Sequence, residues 1–125
     1  MAAVIGASPP DHPLGLLLVM MDVDPAHEKE FNEWYDEEHL PERTRCPGFL
    51  SGRRFRAVEG SPRYLALYDL ERTEVLHTPA YLKIFDPSPR TQRIQQFVTS
   101  EIRNVYVEIT TNGGTTPPIR ARARR

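Results

Sequence analysis

Two stretches of the chain, residues 15–22 (GLLLVMMD) and 63–70 (RYLALYDL), are apolar at successive positions rather than at every second one. Neighbouring side chains of a strand point to opposite faces, so runs of this kind need cover on both sides of a sheet. In the second run Tyr64, Ala66, Tyr68 and Leu70 share one face, and Leu65 and Leu67 share the other. Neither run approaches the roughly 20 apolar residues of a membrane span, so no membrane partner is expected. A single layer of helices hides one face of a sheet. The second face must be covered by another copy of the chain or by the chain ends, or must line a ligand cavity. Large bare apolar patches mark interfaces, and closed two-fold pairs are the commonest oligomers, so a homodimer is the expectation.

The rest of the chain supplies an order for these strands. Asp24 is placed to N-cap a helix with Pro25 at its first position, and Glu28 and Glu30 lie near its positive end. Phe31, Trp34, Tyr35 and Glu38 recur at helical spacing, so the aromatic residues share a face. Pro41 disfavours helical geometry at Leu40 and predicts a break or kink there. The pair Pro47-Gly48 supplies a turn. Residues 49–58 and 63–70 form a hairpin through Glu59, Gly60, Ser61 and Pro62. Residues 73–84 and 89–100 carry weaker helical signals interrupted around Asp86 to Pro89, and 102–110 alternates as a closing strand. This β-α-β-β-α-β order is that of α+β, ferredoxin-like folds with an antiparallel four-stranded sheet.

At 125 residues one domain is expected, over 14–112, between loose Pro-rich or Arg-rich ends at 1–13 and 113–125. The net charge of −1 becomes −5 once Arg120, Arg122, Arg124 and Arg125 are set aside, so the body is mildly acidic. That opposes binding to phosphate backbones. Residues 63–70 keep only Arg63 and Ala66 of the aromatic pattern by which RNA-recognition motifs stack bases, so no nucleic-acid partner is expected. The lone Cys46 cannot form an intramolecular disulfide, which fits a reducing, cytoplasmic setting. Asp22, Asp24, Glu38, His39 and Glu42 lack any recognised ligand spacing, and no covalent haem motif, nucleophile elbow or phosphate loop is present. No metal or cofactor is expected.

The segment 31–47 (FNEWYDEEHLPERTRCP), with Pro47-Gly48-Phe49 and RYLALYDL after it, resembles the EthD-like branch of the dimeric α/β barrel superfamily. The resemblance spans roughly residues 16–109. It implies that two sheets pack face to face into a barrel, with a small-molecule pocket between sheet and helices of each protomer. Trp34, Tyr35, His39 and Pro41 carry over, and His39 matches a histidine that looks towards the pocket in related proteins. It does not imply one activity, because function resides in sites grafted onto folds.

His39 is the leading catalytic candidate, since an imidazole takes and returns protons near neutral pH. Tyr35 lies one helical turn before it and is placed to reach the same ligand. The alternative for His39 is a cap on the helix C-terminus. Phe31 and Trp34 are either ordinary core or a pocket wall. Tyr64 and Tyr68 on one strand face offer phenols to a ligand or make structural hydrogen bonds. His77 is the last substrate-binding candidate. The function expected is cofactor-free proton transfer, as a lyase, cyclase or isomerase acting on a small apolar, aromatic or polyketide-like molecule. A non-catalytic small-ligand-binding or accessory protein and a cofactor-free monooxygenase are the alternatives.

Overall fold

The structure is a computed structural model and describes residues 13–110. Apart from Pro13, the expected loose ends at 1–13 and 113–125 lie outside the described residues. The chain runs through β1 (Gly15–Val23), a 3-10 turn (Pro25–His27), α1 (Glu28–Trp34), a π-helical turn (Tyr35–His39) and α2 (Leu40–Thr44). It continues through β2 (Phe49–Arg56), β3 (Tyr64–Leu70), a 3-10 turn (Thr73–His77), α3 (Pro79–Phe85), α4 (Pro89–Gln95) and β4 (Val98–Val107). The strands form one sheet in the order β2-β3-β1-β4 with every pair antiparallel, the ferredoxin-like α+β arrangement.

Local chemistry sets most of the element starts. The Asp24 carboxylate accepts the Ala26 N–H at 3.0 Å, and the helix it caps opens as the 3-10 turn before becoming α1 at Glu28. Thr78 and Ser88 cap α3 and α4 through the N–H groups of Tyr81 and Thr91, and Pro79 and Pro89 follow them at the first helical position. Gly48 turns the chain from α2 into β2 with φ near 95°, and a Cβ there would meet Val75 at 2.4 Å. Only glycine meets both demands without displacing the backbone.

Two expectations are corrected. Of the break or kink expected at Leu40 and Pro41 the break is absent: the helix is distorted into a π turn just ahead of them but continues to Thr44. The Leu40 N–H donates to the Tyr35 carbonyl five residues back, so the turn ahead of the proline is widened and gives its ring the room an ordinary turn denies. The second helical region ends at Gln95 rather than Ser100. Val98 and Ser100 pair instead with Val23 and Asp22 of β1 across a bulge, a non-local pairing that outweighs weak local helical preference.

One face of the sheet packs beneath the helices. Leu17, Tyr68, Leu70, Phe31, Trp34 and Ile94 form its sealed centre. Register places Leu16, Leu18, Met20, Leu65 and Leu67 on the opposite face, where they are only half-buried. Phe55, Ile102 and Tyr106 join them there, each more than 40% exposed. No described helix lies over this second face.

Candidate functional site

Between the sheet and the helices lies a cavity of about 320 Å³. Trp34, His39 and Arg43 from the long helical segment form one wall, and Leu17, Val19 and Tyr68 from β1 and β3 form the floor. Tyr81 and Phe85 of α3, Thr91 and Ile94 of α4, and Glu101 and Arg103 of β4 also line it.

The π-helical turn builds the helical wall. In a regular α-helix residues five apart point about 140° away from each other. Here the extra residue in the turn brings Trp34 and His39 together, with ring centroids 4.3 Å apart and planes 29° from parallel. Tyr35 meets the same imidazole edge-on at 5.0 Å and Trp34 at 4.9 Å, so the three rings lock one another. The Trp34 indole N–H donates to Thr91 Oγ1 at 3.0 Å in the interior. Thr91 and Ser88 both donate to the Glu38 carboxylate, at 3.1 and 2.6 Å. A carboxylate from the π turn thus ties the start of α4 to the tryptophan that backs His39.

His39 is held neutral. Burial pushes its imidazole down to about 3 from an ordinary value of 6.5, with the Arg43 and Arg54 charges adding to the effect. Of its two ring nitrogens only Nδ1 is both sealed from water and without a hydrogen-bond partner. The Tyr68 hydroxyl is sealed and unpartnered as well. Burial likewise pushes the Tyr35 phenol up to about 12 and the Tyr68 phenol further still. The two phenols influence each other's ionisation, although their geometry falls short of a proper hydrogen bond. A misaligned contact of this kind recovers little hydrogen-bond energy.

Two arginines frame this group. Arg54 of β2 turns inward and stacks on the Tyr35 ring at 4.2 Å. It donates to Asn32 at 2.7 Å and to Asp36 at 3.3 Å, which fixes it over the ring. Arg43 is buried beside the Tyr81 ring and pairs with Glu42 at 3.0 Å. Space for α2 against the sheet comes from Gly52, where a Cβ would meet Thr44 at 2.7 Å and Tyr68 at 3.0 Å.

Of the residues singled out from sequence, Trp34, His39 and Tyr68 line the cavity. Tyr35 stands behind the wall, in contact with Trp34 and His39. Phe31 is fully enclosed in the core. The Tyr64 hydroxyl donates to the Glu28 carboxylate and accepts from Asn32, and Tyr64 is not on the wall. His77 is exposed, beside a second, more open hollow of about 490 Å³ between α3 and β4. Arg43, Arg54, Thr91 and Arg103 belong to the site without having been singled out from sequence. Arg43 had a signal, since it extends the Tyr35–His39 row by a further four residues. The other three reach the site through the fold alone. Among the described residues no group of three or more His, Cys, Asp or Glu is assembled to hold a metal. No helix there is long and apolar enough to cross a membrane.

The architecture matches solved structures at low sequence identity. SnoaB, a cofactor-independent oxygenase from Streptomyces nogalater, is similar at 15% identity and a TM-score of 0.59, over 80% of this chain and 97% of that one. A dimeric ferredoxin-like protein from an uncultured marine organism is similar at 16% identity and a TM-score of 0.60, over 81% of this chain and 91% of its own. A conserved protein from Methanosarcina mazei Go1 is similar at 14% identity and a TM-score of 0.55, over 76% and 92%. At these identities the likeness is one of fold. No curated protein sequence matches the chain. The family model for a domain of unknown function, DUF4286, matches residues 15–108, nearly the whole of the described domain, and the chain therefore belongs to the DUF4286 family.

Proposed function

We propose that this protein is a homodimeric, cofactor-independent enzyme that removes a proton from a small enolisable or phenolic molecule held between its sheet and helices. The observation that carries the reading is that His39 on the wall and Tyr68 on the floor line one cavity, each with a sealed polar atom that lacks a partner. Buried polar groups are ordinarily satisfied, and leaving one unpaired costs about 1–3 kcal/mol, so two together in a cavity mark groups held for a ligand. The neutral imidazole accepts the proton as negative charge develops on the bound molecule, and that charge offsets the burial and the Arg43 and Arg54 charges that otherwise hold it at about 3. The Tyr68 phenol, backed by Tyr35, donates to the substrate oxygen on which negative charge develops. Both sealed atoms lie against packed neighbours, so contact with a ligand requires small side-chain rotations there. Trp34 and Leu17 supply the apolar surface that an aromatic or polyketide-like ring would cover. At about 320 Å³ the space lies at the small end of ligand pockets, which suits a one- or two-ring molecule. The likeness of residues 31–47 to EthD-like helices supports the same reading.

The proton transfer serves an isomerase, cyclase or lyase directly. The fold likeness to a cofactor-independent oxygenase favours a second outcome for the same carbanion, attack on dioxygen. A CH₂ group would then become a carbonyl, with one oxygen atom retained and the other leaving as water, so the four electrons lost by carbon reduce the dioxygen. The test is exchange of α-protons of bicyclic aryl ketones such as 2-tetralone in D₂O, followed by NMR, with an oxygen electrode in parallel. The wild type should accelerate exchange and His39→Ala should reduce it about a hundredfold or more, the usual share of a general base. Exchange at an undiminished rate in the variant would defeat the assignment. A ligand that binds without exchange or oxygen uptake would favour the accessory-protein reading.

A further inference from the structure

Arg43 is the only buried charged residue among the described residues, and its side chain is 9% exposed. A guanidinium carries five N–H donors, and burying it is costly unless they are matched. Its one ionic partner among the described residues is Glu42, the preceding residue in the chain, which reaches a single terminal nitrogen at 3.0 Å. The Glu42 side chain is itself 34% exposed, so this contact neither shields the charge nor occupies the fork. The remaining donors belong to a side chain that lines the cavity. The positive charge is felt all round the site: it favours the neutral form of His39 and the ionised forms of Tyr35, Tyr68 and Cys46. The other charges on the wall, Glu101 and Arg103, are of opposite sign and stand exposed on β4. The inner cavity is therefore positive, within a protein whose body is mildly acidic.

We propose that Arg43 anchors the carboxylate of a small aromatic acid in this cavity. The proposal rests on the cavity being the ligand site and narrows its substrate class. Arg43 and His39 are four residues apart on adjoining helical turns, where side chains start about 5–6 Å from each other. The substrate is then a ring compound whose carboxylate lies roughly one ring's width from the atom that His39 deprotonates. A planar carboxylate matches the guanidinium fork in a way that a neutral amide of the same shape does not.

The experiment is isothermal titration of the intact protein at pH 7 with 2-naphthoate, its neutral isostere 2-naphthamide, and 2-naphthol. We expect the acid to bind about ten- to a hundredfold more tightly than the amide, the worth of a hydrogen bond to a charged group. Arg43→Met should bring that ratio close to one, whereas Arg43→Lys should keep part of it. If Arg43→Met does not fold, as judged by near-UV circular dichroism, the ratio in the wild type and in Arg43→Lys decides. Equal affinity for acid and amide would overturn the carboxylate anchor and leave the cavity reading intact. Failure of all three compounds to bind would overturn both.

Discussion

His39 is a titratable group packed against an indole and a phenol, and its environment makes a prediction independent of any substrate. Burial lowers its affinity for protons in the folded chain to about 3, while the unfolded chain holds the ordinary 6.5. Between those values the unfolded state binds the extra proton, so acid favours unfolding. The stability linked to His39 is complete above about pH 6.5 and is lost progressively as pH falls towards 3. At about 1.4 kcal/mol for each unit of difference, the loss is of the order of a few kcal/mol. Thermal unfolding followed at pH 7 and pH 4.5 should therefore show a steep fall for the wild type. His39→Phe keeps an aromatic ring beside Trp34 but cannot titrate, and should fall distinctly less. Parallel curves for the two proteins would mean that His39 takes up its proton in the fold without strain.

At the scale of elements the π-helical turn matters most, because it brings Trp34 and His39 onto one wall with Tyr35 behind them, and is clamped from outside. The clamp is Thr91, which accepts from Trp34 and donates to Glu38 across the α1–α4 contact. Thr91→Val keeps the shape and removes both bonds, leaving the indole N–H buried without a partner. The expected cost is about 1–3 kcal/mol by denaturant unfolding. Trp34→Phe in the same background should add less than it does alone, since the partner is already gone. Fully additive losses would show that the two residues are not coupled. Much of this segment is readable in the sequence: the Asp24 cap, the helical spacing of the aromatic residues, and the Tyr35–His39 pair are local patterns. The widened turn is not. Pro41 announces a disturbance, but whether the chain breaks or bulges depends on where Trp34 and Glu38 find partners fifty or more residues away.

For the whole molecule the decisive feature is the second face of the sheet. Register aligns Leu18 with Leu67 on β3 and with Asn104 on β4, at the middle of a face bearing Leu16, Met20, Leu65, Phe55 and Ile102. The proposed face-to-face pairing covers it, and light scattering should report twice the 14.3 kDa chain mass. A charge at the centre of this face, Leu67→Glu, should produce a folded monomer, because Leu67 does not reach the helix-side core. A wild-type monomer at micromolar concentration, or a Leu67→Glu dimer, would show that the pairing uses another surface.

The order of elements, the turn at Gly48, the Asp24 cap and the need to cover both faces of the central strands all follow from sequence, because each rests on neighbouring residues or on a short period. The Tyr35–His39 pair is legible for the same reason. What only the tertiary structure decides is which of these side chains share a cavity. Tyr68 and Tyr64 lie on one strand face, yet β1 and the helices leave the first lining the same cavity as His39 and tie the second to Glu28 and Asn32. Arg54 looks like one of several surface arginines until β2 is laid beside β3 and turns it over Tyr35. Burial of His39 and Arg43 is likewise a property of packing, since desolvation depends on what the rest of the chain places around a group and not on the group's neighbours in sequence.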